Sequence, residues 1–130
     1  MIKKTRNSKD ILIGENNKIF LVDDEPDIAL AFSLGLQSNG YLVDIFTNPM
    51  EALSNFKADV YKLVLLDIKM PEMDGIELAE KIREIDKKIK ICFMTAFDMD
   101  YQTVNKYSHC IIKKPISIGD LVRKIKMEID

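Results

Sequence analysis

The chain has 130 residues, of which 47% are hydrophobic and 31% are charged, and its formal net charge is −2. This length suits one domain that buries a core without disulfides or a structural metal. No apolar run approaches the roughly 20 residues that a membrane-spanning helix needs, and the residues after Met1 do not form a signal-peptide core. We therefore expect a cytoplasmic protein without membrane contact.

Charged residues and cysteines are unevenly placed along the chain. Basic residues crowd the first ten positions, whereas Asp23, Asp24 and Glu25 form an acidic cluster. Neither group is interleaved with aromatic residues, so nucleic-acid binding is not expected. Cys92 and Cys110 each lie inside an apolar run and form no CxxC pattern. This placement predicts two buried, reduced thiols.

The first part of the chain predicts two strand–helix units behind a polar segment. Residues 1–17 predict a flexible N-terminal extension in front of a domain formed by residues 18–130. A strand at 19–22 runs into the acidic cluster, and Pro26 suits the first turn of a helix. A second strand at 41–46 precedes a helix that Asn48 and Pro49 begin. The apolar faces of these two helices consist of Ile28, Ala31, Phe32, Gly35 and Leu36, and of Ala52, Leu53 and Phe56.

The third predicted strand is a continuous apolar run, residues 63–66, that ends at Asp67. Pro71 and the Asp74-Gly75 pair prevent this run from continuing as strand or helix. An apolar run without polar alternation favours a strand covered on both faces, as in a parallel sheet flanked by helices. Asp67 is therefore expected at the carboxyl end of a buried strand.

The last part of the chain predicts two more strands and two clear helices. After the turn at Gly75, a helix is predicted whose apolar face consists of Leu78, Ile82 and Ile85. Further strands are predicted at 89–94, ended by Thr95, and at 110–112, with room for a short helix at 100–106 between them. Ser117 and Asp120 can cap a last helix, whose apolar face consists of Ile118, Leu121, Val122, Ile125 and Ile129.

This alternation predicts an α/β fold with a doubly wound, five-stranded parallel sheet flanked by helices. Parallel strands end at one edge of such a sheet, where ligands bind. Taken singly, each polar residue that follows a strand could instead cap a helix or finish a turn. Their joint placement predicts one pocket, lined by Asp23, Asp24, Asp67, Thr95 and Lys114.

The residue types in this pocket point to phosphoryl chemistry. Three crowded carboxylates repel one another, and a hard divalent cation relieves the repulsion. Mg²⁺ fits best, because it binds through one or two carboxylates together with phosphate oxygens. A lysine and a hydroxyl supply a cation and a donor for further phosphate oxygens. The pattern predicts that Asp67 accepts a phosphoryl group as a carboxylate nucleophile, with the metal and Lys114 neutralising charge.

These motifs resemble the receiver domain of two-component response regulators over roughly residues 18–130. The resemblance implies a flavodoxin-like receiver fold with strand order 2-1-3-4-5. It implies a regulatory phosphoacceptor, not an enzyme in the usual sense, that is phosphorylated by a sensor histidine kinase or a phosphotransfer protein. Its downstream protein is unknown, and a monomer or weak dimer is expected. The matching segments are Val22-Asp23-Asp24-Glu25-Pro26, Leu65-Leu66-Asp67-Ile68-Lys69-Met70-Pro71 with Asp74-Gly75, Met94-Thr95-Ala96 and Lys114-Pro115.

The same resemblance implies a metal site at the phosphoacceptor. Mg²⁺ (or Mn²⁺) would be bound by Asp24, Asp67 and the backbone carbonyl of Lys69, and Asp23 would contribute through water. These assignments come from matching positions in the family pattern. They are expectations for this chain.

The resemblance also assigns the phosphoryl contacts and exposes two departures. Thr95, as the switch hydroxyl, and Lys114 would contact the phosphoryl group, and the Lys114-Pro115 peptide would be cis. Ile111 occupies a position that is usually aromatic, and the stretch between Thr95 and Lys114 is shorter than is typical. Both departures lie on the face through which such domains commonly meet partners. The phosphorylation chemistry is therefore expected to be intact, whereas the usual output route is in doubt.

Three other interpretations compete with this one. A phosphatase of the haloacid dehalogenase type needs a second Asp two residues after the nucleophile, where this chain has Lys69. A flavin-binding module needs a phosphate loop after the first strand, and that loop is acidic here. A receiver fold that acts as a protein-interaction module without phosphorylation stays open. The chain is expected to be either a stand-alone receiver or part of a longer protein.

Overall fold

A computed structural model of the protein describes residues 17–96, 104, 106, 108 and 110–129. Residues 1–16 of the extension predicted at 1–17, and most of the short helix predicted at 100–106, lie outside the described residues. In the described part, strands alternate with helices as predicted up to residue 95, and the fifth strand is followed by the last helix. The elements are β1 (Lys18–Val22), α1 (Pro26–Gln37), β2 (Leu42–Phe46), α2 (Pro49–Asn55), β3 (Leu63–Asp67), α3 (Gly75–Ile85), β4 (Lys90–Thr95), β5 (Cys110–Lys113) and α4 (Ile118–Ile129).

The strands form one parallel sheet of five strands in the order β2-β1-β3-β4-β5. This confirms the doubly wound α/β fold and the predicted strand order. β3 lies at the centre, between β1 and β4, and all five of its residues are buried. Its alternate side chains enter different cores, because successive residues of a strand face opposite sides of the sheet. Val64 and Leu66 pack on the side of α2 and α3, and Leu63 and Leu65 on the side of α1 and α4.

Side-chain caps start three of the helices. Asn48 accepts a hydrogen bond from the Glu51 amide at 2.9 Å, and Asp74 accepts one from the Glu77 amide at 2.9 Å. The hydroxyl oxygen of Ser117 accepts a bond from the Asp120 amide at 3.1 Å. The predicted caps Asn48 and Ser117 are confirmed, and these bonds satisfy amides that a helix start leaves without a partner.

Three residues that were predicted to lie on apolar helix faces are exposed: Ala31, Ile85 and Ile118, the last at 37%. α1 turns Ala29, Phe32, Ser33 and Leu36 inward, so Ala31 lies on the solvent side. Ile85, in the last turn of α3, is 44% exposed because the core contact of that helix ends at Ile82. None of the described helices is long and apolar enough to cross a membrane.

The prediction of two reduced thiols is wrong in this structure, because Cys92 and Cys110 form a disulfide. The two residues are direct partners in the pairing of β4 with β5, and their Cα atoms are 4.6 Å apart. Their side chains share the face of the sheet that α1 and α4 cover. The sequence pattern did not reveal the bond because a separation of 18 residues carries no CxxC signal.

Candidate functional site

The carboxyl ends of four strands bring together predicted site residues from distant parts of the chain. Asp23 follows β1, Asp67 ends β3, Thr95 ends β4 and Lys114 follows β5. Asp23 and Thr95 are 0% and 1% exposed, and Asp67 is 6% exposed. Buried carboxylates are rare unless they have partners, so this edge of the sheet has the character of a functional site.

The ammonium group of Lys114 lies among the carboxylates. Its Nζ donates a hydrogen bond to Asp23 Oδ2 at 3.0 Å and lies 3.5 Å from Asp67 Oδ2. A third oxygen, Glu25 Oε1, is 3.8 Å away. The Lys114 amide donates to the Thr95 carbonyl at 2.8 Å, which continues the β4–β5 pairing into the pocket. The Lys114-Pro115 peptide is cis, as the resemblance implied.

Asp23, Glu25 and Asp67 form a close group of carboxylates. One oxygen from each lies within 4.8 Å of the other two. Asp24, predicted as a direct metal ligand, is half-buried and is not a member of this group. Glu25 was not predicted as a site residue, although it belongs to the acidic cluster. The signal in the sequence was the cluster itself, and which of its carboxylates comes close to Asp67 depends on the turn into α1.

A hydrogen bond within that turn fixes the direction of the chain. The Glu25 amide donates to Asp23 Oδ1 at 3.0 Å, so the Asp23 side chain bridges the end of β1 and the start of α1. Glu25 is the N-cap residue of α1, and its side chain makes no capping hydrogen bond. Its carboxylate is therefore available to the pocket. The donor set is hard oxygen, which is the type that Mg²⁺ prefers.

Electrostatic coupling perturbs two of these groups. Burial, reinforced by the negative charges of Asp23 and Asp24, raises the pKa of Asp67 to about 6, although Lys114 opposes the shift. Burial alone would lower the pKa of Lys114, but its hydrogen bond to Asp23 and the surrounding carboxylates raise it above the usual value. Near neutral pH, Asp67 is thus mostly ionised and Lys114 is charged. The pocket holds more negative than positive charge, which favours an additional cation.

The loop between β3 and α3 folds back on the end of β3. The Ile68 amide donates to the Met94 carbonyl at 3.0 Å, and the Gly75 amide donates to the Ile68 carbonyl at 2.7 Å. A Cβ atom at Gly75 would lie 2.2 Å from the backbone oxygen of Asp67, so only glycine permits this close approach. The loop includes Lys69, whose side chain is exposed. Its geometry fixes the backbone that carries Asp67.

A family model for the response regulator receiver domain matches residues 19–126. The chain belongs to the response regulator receiver family. The match contains all the strand ends that form the pocket. Receiver domains are regulatory modules, and the phosphatase and flavin-binding interpretations lose their support.

Known receivers agree with this chain in sequence and in fold. The response regulator receiver protein CpdR of Brucella abortus is 36% identical over 116 residues, which cover 84% of this chain and 93% of CpdR. A CheY-like receiver domain protein from Methanospirillum hungatei is 31% identical with a TM-score of 0.81, and the match covers 89% of this chain and 95% of that one. This chain therefore has the CheY-like fold.

A further solved relative contains ligands. The response regulator protein TrrA from Thermotoga maritima, in complex with Mg²⁺-BeF, is 34% identical with a TM-score of 0.74, and the match covers 85% of this chain and 97% of TrrA. This chain also spans 24% to 50% of the length of several curated transcriptional regulators that it matches.

Proposed function

We propose that this receiver domain accepts a phosphoryl group on Asp67 and changes conformation in response. The observation that carries the proposal is the buried Asp67 carboxylate at the end of β3, with the Lys114 ammonium 3.5 Å from its Oδ2. A carboxylate without a metal or a substrate gains nothing from burial, since desolvation raises its free energy. A role as a nucleophile accounts for its position.

The transfer forms one bond and breaks one. A carboxylate oxygen of Asp67 attacks the phosphorus of a phosphodonor, and the bond between phosphorus and the donor's leaving atom breaks. From a phosphohistidine donor the leaving atom is an imidazole nitrogen, which retains the bonding electrons and takes up a proton. Lys114 would neutralise the charge that builds on the phosphoryl oxygens. The Thr95 hydroxyl is proposed to donate to one of these oxygens after transfer.

Mg²⁺ (or Mn²⁺) is proposed as the cofactor of this site. Asp23, Asp24, Asp67 and the backbone carbonyl of Lys69 would hold it, and Glu25 is close enough to contribute. The excess of carboxylate oxygens over cationic groups supports this assignment. When bound, the ion supplies positive charge to the transferring phosphoryl group. Lys114 alone cannot balance three carboxylates.

The partners follow from the family and from the chemistry of the site. A sensor histidine kinase or a phosphotransfer protein would present a phosphohistidine to the pocket, because Asp67 requires an activated phosphoryl donor. A downstream protein would bind the β4–β5 side of the domain and respond to its phosphorylation. Ile111, which replaces the usual aromatic residue, is half-buried against the α2–α3 core. A small aliphatic side chain there supports a limited rearrangement on phosphorylation.

Intact mass measurement with acetyl phosphate and Mg²⁺ tests the proposal. The wild-type protein should gain the mass of one phosphoryl group, and Asp67→Asn should gain none. Asp59→Asn is the matched control, because Asp59 is exposed and precedes β3, at the amino end of the strand and away from the pocket. Its backbone φ of 64° is one that asparagine tolerates.

Two results would count against the assignment. An equal mass gain in wild type and Asp67→Asn would move the acceptor to another residue. No gain in wild type, with Mg²⁺ present, would favour the interaction module that acts without phosphorylation.

A further inference from the structure

The Cys92–Cys110 disulfide joins the two strands that deliver Thr95 and Lys114 to the pocket. Cys92 precedes Thr95 by three residues in β4, and Cys110 precedes Lys114 by four residues along β5. The bond therefore joins β4 to β5 three to four residues before Thr95 and Lys114, and it lies outside the pocket itself. The phosphoryl chemistry does not use either sulfur.

β5 is the strand whose attachment depends most on such a bond. It lies at the edge of the sheet, contains only the residues Cys110–Lys113 and pairs with β4 alone. A short edge strand opens more easily than a central one, because it has a hydrogen-bonded neighbour on one side only. The position of Lys114 follows from the position of β5. A covalent bond between β5 and β4 therefore also restricts the movement of Lys114.

Both oxidation states are compatible with the fold. Both cysteines belong to an apolar cluster with Leu121, Val122 and Ile125 of α4, although a carboxylate oxygen of Glu128 lies within 4.8 Å of each sulfur. A free cysteine packs in such a cluster as a small hydrophobic residue. The backbone ladder between β4 and β5 does not require the disulfide. The bond is therefore suited to forming and breaking in the folded protein.

The two cysteines differ in access. Cys92 is 0% exposed and Cys110 is 8% exposed. Because both residues are buried, an oxidant in solution reaches them when the edge strand opens, and it would meet Cys110 first. Cys92, which is paired with Cys110 across the two strands, is in place to react next. One reactive thiol with an adjacent resolving thiol is the arrangement that makes oxidation reversible.

We propose that Cys92 and Cys110 form a reversible thiol–disulfide site that controls how firmly β5, and with it Lys114, is held against β4. The oxidant is a low-molecular-weight disulfide. The Cys110 thiolate attacks one sulfur of the oxidant and releases the other half as a thiolate. The Cys92 thiolate then attacks the Cys110 sulfur and releases the second half. Two electrons pass from the protein sulfurs to the oxidant, and the two thiol protons go to its two released thiolates.

Alkylation and hydrogen exchange on the full chain test this proposal. The protein is equilibrated with oxidised or with reduced glutathione, and unreacted thiols are alkylated and counted by mass. We expect no alkylation after oxidation and two alkylated thiols after reduction. Amide exchange in peptides that cover β5 and α4 should be roughly tenfold or more slower in the oxidised protein, because the bond removes the open states of the edge strand.

Two variants keep the test specific to this pair. Cys92→Ala and Cys110→Ala should each exchange at the same rate under oxidising and reducing conditions, at about the rate of reduced wild type. The comparison of the two states of wild type does not depend on either variant folding well. Thiols that stay fully alkylatable in oxidised glutathione overturn the proposal, and so does equal exchange in the two states.

The consequence for signalling rests on the proposed function and is measured separately. The rate of phosphorylation by acetyl phosphate should differ between the oxidised and reduced proteins, because Lys114 belongs to the segment that the bond fastens. Absence of phosphorylation in both forms would contradict the proposed function, while the exchange data still decide the redox site. Phosphorylation at equal rates in both forms would contradict control of the pocket by this bond.

Discussion

Replacing Asp67 by asparagine should stabilise the protein in the absence of metal. The Asp67 carboxyl is buried, and its ionised form is disfavoured by desolvation and by Asp23 and Asp24. Asparagine has nearly the same shape and no charge, so it resembles the protonated carboxyl. Asp67→Asn should therefore remove the free-energy cost of burying an ionised carboxylate at this position.

The size and direction of the effect follow from the pKa of Asp67. The pKa is raised from 3.8 to about 6 in the folded protein, so the unfolded chain ionises first as the pH rises. Below pH 3.8 the carboxyl is protonated in both states and costs nothing. The stability of wild type then falls as the pH rises from 3.8 to about 6, and this loss is complete above about 6. A shift of roughly two units corresponds to about 3 kcal/mol, the largest gain that Asp67→Asn can show at neutral pH.

Urea unfolding followed by circular dichroism, in EDTA, measures this difference. The free energy of unfolding of wild type and Asp67→Asn should be similar near pH 4 and should diverge by about 1–3 kcal/mol near pH 7. Millimolar Mg²⁺ should close the gap, because it stabilises wild type more than the variant. An Asp67→Asn protein that is no more stable than wild type near pH 7, or a difference that does not depend on pH, would contradict a raised Asp67 pKa.

Three further substitutions, of which Gly119→Ala is a control, test the packing and the charge balance around Asp67. Gly75→Ala should lower the free energy of unfolding by about 1–3 kcal/mol, since its Cβ would meet the Asp67 carbonyl oxygen. Gly119→Ala, with no atom within 4 Å of the new Cβ, should raise it by about 0.5–1 kcal/mol in the same urea assay, and equal losses at both glycines would contradict the steric argument. Lys114→Met should cost about 3–5 kcal/mol by leaving Asp23 buried without its cation, and Mg²⁺ should raise its melting temperature more than that of wild type. An unchanged melting temperature without metal would show that Lys114 does not balance these charges.

The fold and most of the site could be predicted because strand ends in a parallel sheet coincide in space. An apolar run that stops at Asp67 fixes both the strand and the edge at which the carboxylate emerges. The same rule places Asp23, Thr95 and Lys114 nearby without any knowledge of side-chain conformation. Asn48 was predictable as a cap because capping depends on residues only three positions apart.

The errors concern properties that local sequence does not determine. The approach of the exposed Glu25 carboxylate to Asp23 and Asp67, which the sequence did not indicate, depends on the path of the chain between β1 and α1. The disulfide depends on the register of β4 against β5, which places Cys92 opposite Cys110 although the residues between them give no signal. The exposure of Ala31 depends on how α1 is rotated about its own axis.

Chemical trapping of the phosphorylated residue tests the central claim most directly. An acyl phosphate is reduced by borohydride to an alcohol, whereas a free carboxylate is not. After treatment with acetyl phosphate and Mg²⁺, and then with borohydride, tandem mass spectrometry of peptides should find the alcohol at Asp67. The modification should require both the phosphodonor and Mg²⁺. An alcohol at another carboxylate, or at none in fully folded protein, would contradict the assignment of Asp67 as the phosphoacceptor.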